Sequence, residues 1–269
     1  MKASIVILSF NRCVYLKNTV RSLIESLNRR EEVEIILVDN GSSDESPSYI
    51  RDLLEQGIID KALLFATNQG ISKGYNSGFA LANSNASYLI KLDCDVIIHH
   101  SGWLEEMDTL FNADPSIGLL MLFQENHPTM KDCVRTKHLG RTFISLTEII
   151  VGSACFTIPK NVIESLGYFY EDHDYLLFYD DIDYFIRLEL LGKKAFYLLS
   201  HTSSYQEDLD TSVYLKYDQM KDPMYERMNI FHKDLNGLYQ SGTFPMQRFY
   251  PRLRDLALMG QNKSLIELP

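Results

Sequence analysis

Four short, strongly apolar runs dominate the first third of the chain: residues 3–9, 33–38, 61–66 and 88–92. Runs this short and this aliphatic predict buried strands. Between them the apolar positions switch to helical spacing. Residues 15–27 carry Leu16, Val20, Leu23, Ile24 and Leu27 on one face, and 47–55 and 71–82 behave alike. Ser46 supplies a helix N-cap and Pro47 the first helical position. Strands alternating with helices predict βαβ crossovers and an α/β fold with a mostly parallel sheet.

The pattern loosens after residue 100. A helix over 101–112 is anchored by Trp103 and Leu104, and a strand follows over 117–123. Residues 125–141 are of mixed polarity and read as an irregular excursion or hairpin, with His127 and His138 at the surface. Strands are expected over 143–150 and 151–158, a short helix over 159–166, a helix from Asp180 carried by Ile182, Phe185, Ile186 and Leu190, and a last strand over 195–199. Residues 201–269 are more polar, with helical stretches around 211–239 and 245–259. The expected division is a sheet domain over 1–200 and a helical extension over 201–269.

The candidate chemistry sits where the strands stop. Their ends read Ser9-Phe10-Asn11, Asp39-Asn40-Gly41, Asn68-Gln69-Gly70 and Asp93-Cys94-Asp95. In a parallel sheet these ends share one edge, where open α/β sheets bind ligands. Two acids one residue apart at the end of a buried run are costly unless paired, hydrogen-bonded or bound to a metal. Hard oxygen ligands suit Mg²⁺ or Mn²⁺ bridging to phosphates; a solvated strand-to-loop turn is the alternative. Small residues at Gly152-Ser153-Ala154 would let a ligand approach the backbone, or mark a bulge. Asp180, Asp181 and Asp183 fall in the first turn of their helix. Acids there complement the helix dipole, and clustered carboxylates can also raise a pKa toward that of a general base. No GxGxxG follows the first strand and no GxxxxGK[ST] occurs, so neither a dinucleotide fingerprint nor a P-loop is supported.

Composition changes this picture little. Of 269 residues, 45% are hydrophobic and 23% charged, an ordinary globular balance, and the formal net charge of −10 argues against a nucleic-acid partner. The 12% aromatic content provides rings for stacking as well as for core. Cys13, Cys94, Cys133 and Cys155 are widely spaced without a CxxC, so zinc and a disulfide framework are not expected and a reducing cytosol is the simple reading. No apolar run reaches the length of a membrane span. A cytoplasmic protein is expected, with peripheral contact at the inner membrane face left open.

Five segments together resemble glycosyltransferase family 2, the inverting, nucleotide-sugar-dependent enzymes of GT-A type fold, with rhamnosyltransferase-like members the most similar. They are Ser4-Ile5-Val6-Ile7-Leu8-Ser9-Phe10-Asn11-Arg12, Ile36-Leu37-Val38-Asp39-Asn40-Gly41-Ser42-Ser43-Asp44, the stretch from Asn68 to Gly78, Lys91-Leu92-Asp93-Cys94-Asp95, and Tyr179-Asp180-Asp181-Ile182-Asp183-Tyr184-Phe185-Ile186-Arg187. Their order and spacing match over about residues 3–200. The resemblance implies that Asp39 contacts the nucleotide base and that Asp93 faces the ribose or the metal. It implies further that Asp95 binds Mn²⁺ or Mg²⁺, and that Asp181, with Asp180 beside it, provides the base. Ser9, Asn11, Arg12, Asn68, Lys73 and Gly152 complete the implied nucleotide-sugar site. Many members carry a metal-binding His after the last of these helices. Here that place falls near Tyr205, so either His201 takes the role, a neighbour such as Asp208 does, or metal binding is weaker than in those members.

The implied reaction moves a sugar from a UDP-, dTDP- or GDP-sugar to a hydroxyl of a glycan, lipid-linked or protein-linked glycan acceptor, in bacterial surface polysaccharide or glycoconjugate synthesis. A sugar nucleotidyltransferase and a catalytically inactive sugar-nucleotide-binding partner are the alternatives.

Overall fold

The computed structural model describes residues 2–126, 135–145, 154–171, 180–206 and 235–269. One sheet runs through all five stretches. Its first half is built as the apolar runs predict: β1 (Ala3–Ser9), β2 (Val33–Asp39), β3 (Lys61–Phe65) and β4 (Tyr88–Asp93) pair in parallel in the order β3-β2-β1-β4. The helices between them are α1 (Cys13–Ser26), α2 (Ser46–Glu55) and α3 (Ile71–Leu81). The register sets Ser9 opposite Asp39 and Leu8 opposite Asp93, so the polar ends of these strands lie at one level.

Strand β1 shows why the sheet is buried on both faces. Ile5 and Ile7 point into a core with Leu16, Val20, Leu23, Ile50, Trp103 and Met107, whereas Val6 and Leu8 point into a second core with Tyr75, Phe79 and Leu256. A period of two along a fully buried strand therefore fills two layers. Helix α3 lies very close to the sheet. A Cβ on Gly74 would come within 2.5 Å of Leu8 Cδ1, and one on Gly78 would meet Val6. Larger residues there would push α3 off the strand whose end carries the candidate site.

Beyond β4 the sheet becomes mixed. After β5 (Val96–Ile98) and α4 (Trp103–Ala113) come β6 (Ile117–Gln124), a hairpin of β7 (Arg135–His138) and β8 (Arg141–Ser145), β9 (Cys155–Pro159), α5 (Lys160–Leu166), α6 (Asp180–Leu190) and β10 (Lys194–Tyr205). Strand β9 is antiparallel to both β4 and β6, and β10 is parallel to β6 but antiparallel to β5 and β8. Periodicity alone does not report strand direction, so the parallel reading is complete only for the first half.

Three boundaries differ from expectation. Strand β10 continues to Tyr205 rather than stopping at 199, because a register shift between Leu198 and Thr202 lets it pair first with β6 and β8 and then with β5. The region after residue 200 also adds a strand: β11 (Leu265–Leu268) pairs in parallel with β3 at the sheet edge. A C-terminal helix (Arg252–Asn262) packs on α3, while the stretch 211–234 of the expected long helix lies outside the described residues. His138 has a partner after all: Nε2 lies 2.5 Å from Asp114 Oδ2, and its ring stacks on Phe196. His127 falls outside the described residues. Among the described residues, no helix is long and apolar enough to cross a membrane.

Candidate functional site

The strand ends converge as their register requires, and the loops that follow them lock one another in place. Asn11 holds a left-handed backbone (φ 53°), uncommon for a residue other than glycine. The loop after β2 holds it there. Asn11 N–H donates to Ser42 Oγ (2.9 Å), and Asn11 Oδ1 accepts from Ser43 N–H (2.7 Å). The same loop caps α1, since Asp44 Oδ2 accepts the Cys13 N–H at 2.9 Å. Asn40 ties it to the loop after β3, donating to Asn68 Oδ1 (2.9 Å) and accepting from Gln69 N–H (2.9 Å). Gly41 (φ 80°) allows the two loops to touch, because a Cβ there would lie 2.6 Å from the Thr67 carbonyl carbon.

Asp39 stands in the middle of this frame and is 1% exposed. Its Oδ2 accepts the Ser42 N–H at 2.9 Å, while Oδ1 is buried with no hydrogen-bond partner among the described residues. Burial pushes its carboxyl above the usual carboxylate range, against the hydrogen bonds from Ser42. A buried acceptor without a donor carries a standing cost, and a ligand N–H would remove it.

The two acids after β4 differ sharply. Asp93 Oδ1 accepts from the Tyr75 hydroxyl at 2.7 Å and lies 2.9 Å from Lys91 Nζ, with that ammonium 5.0 Å from the centre of the Tyr75 ring. Asp95 pairs through Oδ2 with Arg12 Nη1, and its Oδ1 is buried without a partner among the described residues. Burial and then repulsion from Asp93 push the Asp95 carboxyl upward, while Arg12 pulls it down. Behind the pair, Thr19 Oγ1 donates to the Cys94 carbonyl (2.8 Å) and Gln206 N–H to the Asp95 carbonyl (2.8 Å). Gln206 also reaches Tyr15 O (2.9 Å) and accepts from Asn18 (2.9 Å), so α1 and the end of β10 brace the turn. The Tyr205 phenol is pushed up by burial and then by Asp93 and Asp95.

Sequence reasoning gave no role to Tyr75, Lys91 or Gln206. For Lys91 a signal existed, a lone ammonium inside an otherwise apolar strand; Tyr75 and Gln206 carried none.

Helix α6 brings the second acid cluster. Its Leu188 packs where a Cβ on Gly118, at the start of β6, would fall. Tyr184 and Phe185 pack on Phe156, which faces Lys91 and Met121 across β9. The helix therefore lies over β9 and β10 with its Leu188 end toward the start of β6, so its first turn points toward the opposite end of β6. Asp181 is partly exposed, and its Oδ1 accepts the Ile182 N–H at 2.8 Å. Asp183 points the other way, into the core. It is 1% exposed, accepts from Arg187 Nε (2.8 Å) and Nη2 (2.5 Å), and accepts the Tyr239 hydroxyl. Arg187, itself fully buried, also donates to the carbonyls of Leu166 (2.7 Å), Tyr168 (2.9 Å) and Met246 (3.2 Å). Of the three acids in the turn, Asp183 is thus committed to the fold.

The remaining expected residues scatter. Ser9 is buried opposite Asp39 at the strand end. Asn68 Oδ1 accepts from Asn40 of the loop after β2 and from Gly70 of its own loop. Lys73 Nζ lies 2.5 Å from Gln69 Oε1 and lines a cavity of about 300 Å³ between α3 and the C-terminal helix, whose walls include none of Ser9, Asp39, Asp93 or Asp95. The structure does not bring His201 to the aspartate pair. Its Nδ1 lies 2.6 Å from Glu106 and its Nε2 3.1 Å from the Ser101 carbonyl, beside α4, whereas the pairing of β10 with β5 sets Tyr205 opposite Val96. Gly152, Asp208 and the side chain of Asp180 lie outside the described residues.

Among the described residues, no group of three His, Cys, Asp or Glu could hold a metal ion unaided. The unpartnered Asp95 Oδ1 beside Asp93 nevertheless fits a hard divalent cation that draws its other ligands from water and substrate phosphates.

A solved structure of TarS from S. aureus, residues 1–349 in complex with UDP, superposes with a TM-score of 0.59 at 17% identity, over 77% of this chain and 60% of that one. A mannosyltransferase from Pyrobaculum calidifontis, in complex with GDP-Man and Mn²⁺, superposes with a TM-score of 0.62 at 14% identity, over 96% and 73%. These likenesses establish a GT-A type fold. An uncharacterised glycosyltransferase of Nostoc sp. is 30% identical over 120 residues, which are 45% of this chain and 36% of that protein. The matched region thus spans about a third of that relative's length. The family model described as Glycosyl transferase family 2 matches residues 4–139, just over half of the chain, and takes in the ends of β1, β2 and β4 where the site is built. The chain belongs to glycosyl transferase family 2.

Proposed function

We propose that this chain transfers a sugar, with inversion at the anomeric carbon, from a nucleoside diphosphate sugar to a hydroxyl of a glycan-type acceptor. One observation carries the reading. Two buried carboxylate oxygens without partners, Asp39 Oδ1 and Asp95 Oδ1, stand at one sheet edge in a frame that fixes both. The first suits an N–H of a nucleotide base. The second suits a divalent cation, Mn²⁺ or Mg²⁺, held by Asp95 with Asp93 beside it. When bound, such an ion supplies positive charge against the diphosphate oxygens.

The protein's own residues do the rest. Asp39 orients the base, and the loops after β1 and β2 form the wall against which the nucleoside lies. Asp181 receives the acceptor proton as the acceptor oxygen attacks the anomeric carbon from the face opposite the diphosphate. The carbon–oxygen bond to the diphosphate breaks as the new glycosidic bond forms, through an oxocarbenium-like state. Asp181 is partly exposed, as a group that must meet an incoming acceptor has to be.

UDP, dTDP or GDP sugars are the donor class, and synthesis of a surface polysaccharide or glycoconjugate is the setting this chemistry serves. Such work would place the protein in the cytoplasm, in peripheral contact with a membrane when the acceptor is lipid-linked. A thermal-shift screen of these donors with Mn²⁺ identifies the nucleotide, since a bound donor raises the melting temperature. With that donor, Asp181→Asn is expected to lower transfer by about 10²–10⁴-fold while donor affinity survives. Full transfer by this variant would remove the base assignment. The absence of any release of free nucleotide from a donor sugar by the unmodified chain would leave a binding protein in place of an enzyme.

A further inference from the structure

We propose that Arg12 is the resident counter-ion of the cation-binding carboxylate. It competes with the divalent cation for Asp95, so that cation binding turns the guanidinium toward the donor's diphosphate. This rests on the donor-and-cation reading above and assigns to Arg12 a part that reading does not require.

The geometry points to it in three ways. Asp95 offers one oxygen to Arg12 and keeps the other buried without a partner among the described residues, so a cation taken up at the open oxygen shares one carboxylate with the guanidinium. Asp93 is already served by Lys91 and Tyr75, so the exchange is confined to Asp95. The base of Arg12 is fixed while its head is on the surface of the site. Asn11 is held in its left-handed backbone by the loop after β2, and the next N–H but one is capped by Asp44. The guanidinium carbon lies 5.4 Å from the centre of the Tyr15 ring, and the side chain is 20% exposed. An arginine on a rigid base, with a flexible stem and a planar fork, can move between a carboxylate and a phosphate without moving the backbone. Two positive groups on one carboxylate repel at this range, which supplies the force for the exchange.

The test is Arg12→Gln, read by Mn²⁺ binding in electron paramagnetic resonance titrations and by calorimetry with UDP. Removing the competitor is expected to tighten Mn²⁺ binding about tenfold. At saturating Mn²⁺ the same change is expected to weaken UDP binding about tenfold, because the phosphate-facing cation is gone. The opposite signs are the signature, since a purely structural ion pair would weaken both or neither. Unchanged or weaker Mn²⁺ binding overturns the proposal while leaving the proposed function intact. Absence of Mn²⁺ binding by both proteins, even with UDP present, sinks the cation reading and this proposal together. Should Arg12→Gln fail to fold, the unmodified protein decides the matter. The Arg12 Nη–H resonances, one of whose nitrogens makes the ion pair, are expected to shift and broaden on titration with Mg²⁺; resonances that stay in place overturn the exchange.

Discussion

Asp39 and Asp183 are equally buried, and they are opposites. Asp183 has two nitrogens of Arg187 on one oxygen, the Tyr239 hydroxyl on the other and Arg248 within 3.6 Å. Asp39 accepts the Ser42 N–H on one oxygen and, among the described residues, has no partner on the other. The first arrangement joins α6 to the segment after α5 and to the C-terminal region, since Arg187 also binds carbonyls on both. The second costs stability in the protein alone and returns it only when something donates to the open oxygen. Equally buried acids can therefore have different employment. The number of satisfied lone pairs, rather than burial, separates an acid that holds the fold from one left with an open oxygen.

The largest effect expected of this contrast is at Asp183. Asp183→Asn leaves the Arg187 charge buried and without its partner, and breaking such a pair typically costs about 3–5 kcal/mol. Urea denaturation should show that loss, and a midpoint within error of the unmodified chain would end the distinction. Asp39→Asn should go the other way. It removes a buried charge whose folded pKa is raised, so the melting temperature is expected to hold or rise, while affinity for the nucleotide falls about tenfold or more. The sign with pH follows. A carboxyl with a raised folded pKa penalises the fold above its unfolded value of about 3.9, and the penalty fades as pH falls and the folded group takes up its proton. The stability gap between Asp39→Asn and the unmodified chain should therefore be widest near neutral pH and close as pH drops into the acid range. A gap that widens on acidification would contradict the burial of a charged Asp39.

How much of this was legible beforehand depended on distance along the chain. Strand runs, helical spacing and the polar strand ends are local, so β1 to β4, α1 to α3 and the placement of Asp39, Asp93 and Asp95 at one edge could be read directly. Strand direction in the second half could not, because a continuous apolar run looks the same in parallel and antiparallel pairing. Nor could the partners: nothing near Asp183 announces Tyr239, 56 residues away, and nothing near Asp95 announces Gln206. His201 illustrates the limit from the other side. A histidine near the expected spacing was available in the sequence, but the register shift inside β10 carries it to Glu106 and sets Tyr205 and Gln206 beside the aspartates.

The smallest effect sharpens the contrast by testing a satisfied acid near the surface. Asp114 follows α4, where its Oδ1 accepts the Ser116 N–H (2.7 Å), its Oδ2 accepts the Ser116 hydroxyl (2.8 Å), and His138 Nε2 lies 2.5 Å away. These contacts, Ser116 first, lower its carboxyl to about 2. A lowered folded pKa contributes stability that is complete above the unfolded value of about 3.9 and is lost as pH falls toward 2. Because water reaches the group, the contribution is expected to be under about 1 kcal/mol. Asp114→Asn should therefore lower the melting temperature by a few degrees at most at pH 7, and the difference should vanish near pH 2. The hairpin of β7 and β8, which meets α4 through this His138 contact, is the place to look. Faster amide exchange confined to residues 135–145 in the variant would show a satisfied acid holding one local element. Loss of nucleotide binding with unchanged exchange would instead place Asp114 with the ligand-facing acids and erase the line drawn between Asp39 and Asp183.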